Sequence, residues 1–422
     1  MEIKIADGLK LCCEIPLLWV EKFQIKWEVN QHAFLELTGY IDRSIKYKVE
    51  NLYESKIKLL LDKRNGSEVI FFGYLTTIVT ENVGDTKKTQ LKAHSGSFRL
   101  DQHIDSKSFQ NVGMTYAEIV KQIADYSGGS VICSEGTDTV IRKPLIRYEE
   151  TAWEFCKRLA THLGTCIIPD IVTGEFNFWF GMRKGGRVSN FSEEEYVIDI
   201  RKNNFGKTEI SFEVESREFY KIGDKTVFDG QEMIICRVFA FFDRGELIFR
   251  YLLKDSVKKS IIYNNKFMGL GLTGTVLETR CEQVRVALDI DNGNSTGKFF
   301  YDWYPETGNA LYTMPETGAH ILLYFGSKDE REGFAAHCLP GTAKYKRKYQ
   351  NRFIHTNEGN SAQLYKEDVS FSNSGRSSLS VGDDFVSVRD SGKITVSAQN
   401  AIKVNAKRVI ISTPDELEIC QG

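Results

Sequence analysis

Apolar residues recur at every second position through much of the first hundred residues, clearest at Ile57, Leu59 and Leu61, a spacing that places them on one face of a strand. The same reading predicts short strands at Phe23–Glu28, Phe34–Ile41, Ser55–Leu61, Val69–Thr80 and Lys88–Ser95, with Arg64-Asn65-Gly66 as a hairpin-type turn. Two segments switch to helical spacing. Thr115-x-x-Glu118 and Thr151-x-x-Glu154 each read as a capping box, followed by Ile119, Val120 and Ile123 up to Gly128, and by Phe155, Leu159 and Leu163 up to Gly164. Strands return at Cys166–Pro169 and Glu175–Phe180, then across Glu209–Lys254 with a turn at Asp243-Arg244-Gly245. Five more, at Leu272–Thr279, Gln283–Asp289, Phe299–Tyr304, His320–Phe325 and Ala335–Leu339, suffice for a small closed barrel of the oligonucleotide/oligosaccharide-binding (OB) type.

The last segment carries the most specific pattern. Apolar pairs recur at a step near eight residues: Leu379/Val381, Val386/Val388, Ile394/Val396, Ile402/Val404, Val409/Ile411 and Leu417/Ile419. A fixed period over six steps is a repeat architecture. A single chain folded back and forth in such short strands leaves these side chains without a core, whereas burying each contributes about 1.5–3 kcal/mol. Three copies wound about one axis enclose an apolar interior and leave no free sheet edge. The pattern therefore predicts a homotrimeric β-helix or β-prism with these twelve residues as its core.

The predicted fold class is mainly β. Residues 1–105 form a first hub β-barrel, 106–205 a small α/β insertion with two helices, and 206–262 a second hub β-barrel completed partly by preceding strands. An OB barrel at 263–342, a linker and neck at 343–376 and the repetitive spike at 377–422 follow. A length of 422 residues allows several cores, at roughly 150 residues per domain.

Charge narrows the partners. With 55 basic and 57 acidic residues the net charge is -2, so no overall field draws the chain to nucleic acid or an anionic membrane, and its partners are expected to be proteins. No stretch approaches the roughly 20 apolar residues of a spanning helix. Met1–Lys10 lack signal-peptide order, so cytoplasmic assembly is expected. Nine cysteines at irregular spacing, Cys12 and Cys13 adjacent, read as buried thiols in a reducing compartment.

Candidate chemistry was weighed at each motif. GLGLTG at Gly269–Gly274 spells GxGxxG, but a strand rather than a helix is expected after it, which favours a linker into the barrel over a nucleotide site. Asp289, Asp291, Asn292 and Gly293 resemble a calcium loop, yet Asn294 and Phe300 stand where glycine and glutamate are needed, so the Asn-Gly step reads as a hairpin turn. Cys156, His162 and Cys166 lack a fourth zinc ligand and read as core. The basic connector Lys344, Lys346, Arg347, Lys348 and Arg352, with Tyr345 and Tyr349, reads as a solvated linker or a contact to an acidic neighbour rather than an RNA site. No catalytic residue, cofactor or metal is expected.

Three segments carry a family resemblance: ETAWEFCKRLATHLGT at Glu150–Thr165, LTGTVLETRCEQVRVAL at Leu272–Leu288 and MPETGAHILLYF at Met314–Phe325. With the domain order, they make the chain resemble the VgrG family of type VI secretion spikes and the related tail hub-and-spike proteins of contractile phages and bacteriocins. Ala319 departs from the aspartate common there. The resemblance implies a non-enzymatic baseplate hub and membrane-puncturing spike, a homotrimer whose paired hub domains form a pseudo-sixfold ring on a hexameric inner tube protein. It also implies baseplate partners, a PAAR-type tip protein or effector at Leu417, Ile419 and Cys420, and no fused effector after Gly422. Such a protein ends at the tip of the injection apparatus, delivered outside the cell or into the target, and meets the membrane only by puncture. The competing reading is a cell-wall hydrolase or glycan-binding tip using exposed aromatics such as Trp303 and Tyr304. The interval between Leu339 and Leu379 is too short for a lysozyme-like insert.

Overall fold

Alternation in the first hundred residues resolves into seven strands in the computed structural model: β1 (Glu2–Ala6), β2 (Leu9–Cys13), β3 (Leu17–Glu28), β4 (Phe34–Asp42), β5 (Lys56–Lys63), β6 (Gly66–Val83) and β7 (Thr86–Ser95). The structure describes residues 2–419 apart from 7, 46–54, 65, 189–190, 192–194, 203–207, 244, 258–259, 294–296, 306–312, 340–351 and 357. Asn65 and Arg244, central to two predicted turns, lie outside the described residues, though the strands flanking both turns pair. The insertion comprises β8 (Ile104–Phe109), α1 (Tyr116–Tyr126), β9 (Val131–Cys133), β10 (Leu145–Thr151), α2 (Ala152–His162), β11 (Ile167–Pro169) and β12 (Phe178–Phe180). Next come β13 (Tyr196–Lys202), β14 (Thr208–Ser216), β15 (Lys225–Phe228), β16 (Gln231–Asp243) and β17 (Glu246–Lys254).

The two hub regions do not stand apart. Their strands form one twelve-stranded antiparallel sheet, β1-β2-β5-β6-β7-β4-β3-β16-β17-β14-β13, with β15 on β16. The seam is β3 against β16, where Trp27 faces Val238 and Ile25 faces Ala240. One continuous core of Leu, Ile and Phe side chains from both halves lies on its inner face. In β17, Phe249, Tyr251 and Leu253 turn inward while the residues between stay partly exposed. Period-two patterning does this wherever one face is buried.

Both predicted capping boxes are present. The Glu118 amide donates to Thr115 Oγ1 at 3.2 Å and the Thr115 amide to Glu118 Oε2 at 2.7 Å; at α2 the two bonds are both 3.1 Å. Gly164, at φ +67, closes α2 with Thr165 donating back to the Ala160 carbonyl at 3.0 Å, a turn that a residue with a Cβ resists. Thr151→Ala is expected to lower stability by about 1 kcal/mol, read as a lower urea midpoint that Thr151→Ser largely restores.

The barrel closes in the order β18-β19-β20-β22-β21 from β18 (Leu270–Arg280), β19 (Gln283–Leu288), β20 (Phe300–Tyr304), β21 (His320–Phe325) and β22 (Phe334–Cys338). Val284, Val286, Leu288, Tyr301, Ile321, Leu323 and Phe325 fill it. The Gly-rich GLGLTG lies in β18 and its approach; a Cβ on Gly274 would stand 2.6 Å from Val286 and 2.7 Å from the Ala287 carbonyl. The glycine there serves strand packing.

The chain divides into two compact units, Met1–Gly341 and Thr342–Gly422. The second is an antiparallel meander of β23 (Arg352–His355), β24 (Asn360–Leu364), β25 (Asp368–Asn373), β26 (Ser377–Gly382) and β27 (Val386–Asp390). Residues 343–376, predicted as linker and neck, thus hold three strands, because Ala362/Leu364 and Val369/Phe371 extend the apolar pairing upstream. Ser374 and Gly375, both at positive φ, make the tight β25–β26 turn. Of the basic connector, only Arg352 falls within the described residues, where it opens β23.

Candidate assembly surface

Register in the meander sorts its side chains by chemistry. Reading across the strands, Ile354, Ala362, Phe371, Leu379 and Val388 are successive cross-strand partners, and Leu364, Val369, Val381 and Val386 form a second such row. Offset by one residue lie Ser361, Ser372, Ser378 and Arg389, and Gln363, Ser370, Ser380 and Ser387. Neighbours on opposite pleats point to opposite faces, so one face is apolar and the other is mostly serine, with Gln363, Arg389 and, on β23, Phe353 and His355. Ser361 and Ser372 hydroxyls bond across the polar face at 2.8 Å.

Among the described residues of this unit, the apolar face stands open. Phe371 is 54% exposed, Leu379 40% and Val388 57%, whereas their counterparts in the hub and barrel cores are almost wholly buried. The twelve residues of the predicted ladder stand in two groups. Leu379, Val381, Val386 and Val388 lie in β26 and β27. Ile394, Val396, Ile402, Val404, Val409, Ile411, Leu417 and Ile419 lie where 391–419 form no regular element, with exposures from 52% at Ile394 to 86% at Ile419. The four later strands predicted from the octad pattern do not appear among the described residues, where each step offers only two apolar positions. Cys420, assigned with Leu417 and Ile419 to a docking end, lies outside the described residues.

The residues weighed for catalysis or metal binding are dispersed. Cys156 sits in the core under α2, while Cys166 belongs to the hub core. Among the described residues no three His, Cys, Asp or Glu converge as a metal site. His162 is enclosed, its Nδ1 3.5 Å from the Tyr116 hydroxyl and its Nε2 without a partner. Burial first, then the Arg158 and Arg331 charges, push its pKa from 6.5 down to about 3. Between those values the unfolded chain binds a proton that the folded chain refuses. This group's stabilisation is complete above pH 6.5 and declines by about 1.4 kcal/mol per pH unit as pH falls towards 3. Urea unfolding at pH 7 and pH 5 checks it, with His162→Phe expected to flatten the difference.

Asp291 accepts from the Ser108 amide and hydroxyl at 2.7 and 2.6 Å, and Asp289 accepts from Thr273, so both carboxylates of the calcium-like segment are engaged within the fold. Asp289–Asp291 form a 3-10 turn that leads into Asn292 and Gly293, both at positive φ, within the connection between the antiparallel strands β19 and β20. Of the aromatics proposed as a glycan platform, Tyr304 is exposed but Trp303 is buried, its indole N–H donating to the Thr313 carbonyl at 2.9 Å. They alternate on one strand and face opposite sides, so no shared platform exists. Cys281 and Cys338 are exposed, contrary to the expectation of buried thiols, because both stand at the ends of barrel strands.

Two features escaped sequence reasoning. Arg158 reads as a surface residue in a Lys-Arg pair, yet it is buried against Glu150 and Glu330. A Ser97–His32–Asp101 chain, with contacts of 2.9 and 2.8 Å, has the composition of a hydrolytic triad, but Ser97 is fully buried and bonded to Ser95. A nucleophile that no substrate reaches is a structural link between β4's approach and the 3-10 turn at Gly96–Asp101. Among the described residues no helix is long and apolar enough to cross a membrane.

No protein-family model matches the sequence, and no curated protein matches it. Solved structures do. The E. coli c3393 protein, a component of the type VI secretion system with structural similarity to the T4 bacteriophage tail proteins gp27 and gp5, superposes at a TM-score of 0.58 and 10% identity, over 77% of this chain and 98% of its own. A chain of the half-lidded Francisella PdpA-VgrG complex gives 0.59 and 10%, covering 88% of this chain and 84% of that one. The lidless PdpA-VgrG complex gives 0.57 and 10%, covering 88% and 94%. What this chain shares with these structures is its mainly β fold, over the portions stated.

Proposed function

We propose that this chain, which has the fold of VgrG and of phage tail hub-and-spike structures, is a non-enzymatic, homotrimeric hub and spike of a contractile injection machine. The observation that carries the reading is the open apolar face of the meander, followed along the chain by nine exposed large aliphatic residues from Ile394 to Ile419, Ile410 among them. Monomeric proteins seldom expose an apolar patch of this extent, and a rimmed one marks an interface. A threefold axis along the ladder supplies identical surfaces for each copy and closes the edges of all three meanders.

In this reading the hub sheet seats the trimer on a hexameric inner tube protein and meets baseplate proteins, and the barrel collars the axis. The ladder forms a stiff rod that concentrates force on a small area of target envelope, and its far end, Leu417 to Cys420, receives a PAAR-like tip protein or effector. The chain assembles in the cytoplasm and is delivered at the tip of the apparatus. Electron microscopy of the purified chain tests it: threefold particles with a thin axial rod are expected, and isolated single-chain particles contradict it.

A further inference from the structure

The α/β insertion has no role in the reading above, yet it holds both the barrel and the 255–268 segment that leads into it. From β8, Ser108 donates twice to Asp291 in the β19–β20 connection. From β10, the Tyr148 carbonyl accepts from Asn264 Nδ2 at 2.8 Å and the Glu149 carbonyl from Lys266 Nζ at 2.6 Å, while Ile146 enters the barrel's own apolar core. From α2, Thr161 Oγ1 accepts from the Ile262 amide at 2.9 Å.

At the centre lies Arg158, 1% exposed. Its Nε and Nη2 donate to the two oxygens of Glu150, both at 2.9 Å; Nη2 also donates to the Ile146 carbonyl at 2.9 Å; and Nη1 donates to Glu330, which is itself buried in the β21–β22 connection. A guanidinium is a planar fork with a fixed array of donors, so engaging two carboxylates and a carbonyl at once defines orientation as well as distance. Taking away one partner would leave an uncompensated charge in the interior, which is strongly destabilising. The insertion is fastened to the hub as tightly. Trp27 Nε1 donates to the Pro169 carbonyl at 3.0 Å, Asn30 exchanges two bonds with Ile167, the Trp153 and His32 rings meet in a tilted contact at 4.2 Å, and Thr151 bonds Asp101.

We infer that the insertion is a rigid coupling, with Arg158 as its pin, that locks the barrel to the hub in one orientation instead of letting it swing on the 255–268 segment. Contacts between domains of one chain commonly permit relative motion. Here a buried three-residue ion cluster and bonds on three sides oppose it. Axial load entering at the barrel would then pass through Glu330, Arg158 and α2 into the hub sheet. That use of the coupling rests on the proposed function, but the coupling itself does not.

Hydrogen exchange on the full chain tests it, with Arg158→Lys, which keeps the charge and loses the fork, and separately Asp291→Ala, which releases Ser108 at another side of the joint. Exchange at the Ser108 and Ile262 amides is expected to become about 10- to 100-fold faster in either variant, the loss of one or two hydrogen bonds to a charged group. The amides of Val284 and Val286 in the barrel and of Leu35 and Leu91 in the hub should keep their rates. Unchanged exchange at the joint in both variants would overturn the inference. So would equal acceleration through the barrel interior, which would make Arg158 a support of the barrel's own fold. Because sedimentation and microscopy report on assembly and these amides on the joint, each reading can fail without the other.

Discussion

Replacing Ile402 and Val404 together with aspartate is expected to turn the assembled protein into single chains at micromolar concentration while the first unit stays folded. Each substitution removes about 1.5–3 kcal/mol of burial per copy and places an unpaired carboxylate on an apolar axis, where three copies bring six charges together. Neither residue belongs to the hub or barrel core, whose residues all lie within Met1–Gly341. Sedimentation velocity should show the loss of the larger species, and near-ultraviolet circular dichroism should retain the tryptophan and tyrosine signals of the first unit. Ile402→Val with Val404→Ile, which conserves total volume, should leave assembly intact.

The largest effect inside one chain is expected at Trp27. It is 2% exposed, faces Val238 across the β3–β16 seam and donates to Pro169 of the insertion. Trp27→Ala should cost about 4 kcal/mol in lost burial and cavity formation, with about 1 kcal/mol more for the hydrogen bond. Trp27→Phe keeps most of the volume and should cost little beyond the bond. Guanidinium unfolding followed by circular dichroism checks both, and a loss well under that of an ordinary core alanine would mean that the two halves of the sheet stand independently.

What was legible in the sequence was local. Period-two runs such as Ile57, Leu59 and Leu61 located β4 to β7 within a few residues, while β1, β2 and the first six residues of β3 went unread, and Thr115 and Thr151 placed both helix starts, because alternation and capping act over one or two turns of chain. The five barrel strands were legible for the same reason, bounded by polar turns. The β3–β16 pairing was not, since residues 24–28 and 237–241 meet across more than half the chain and nothing in either strand names its partner. Arg158 was hidden too: its environment is made by Glu150 and Glu330, and a helix pattern does not distinguish a buried arginine with two carboxylates from a solvated one. Trp303 went the other way. Large aromatics near a barrel rim read as exposed, yet the inward parity of β20 buries every second residue, Tyr301 and Trp303 among them. In the tail, Leu379 to Val388 appear as strands, while the steps from Ile394 onward are exposed and irregular in the single chain. Under the proposed trimer the partner surface belongs to another copy, so the pattern is readable as a period but finds no core within its own segment.

Sedimentation equilibrium of the full chain measures the central claim most directly, because a ladder shared about one axis fixes the number of copies. Over a micromolar concentration series the account predicts a mass three times the 48.1 kDa of one chain. A protein that remains at 48.1 kDa throughout the series would contradict it.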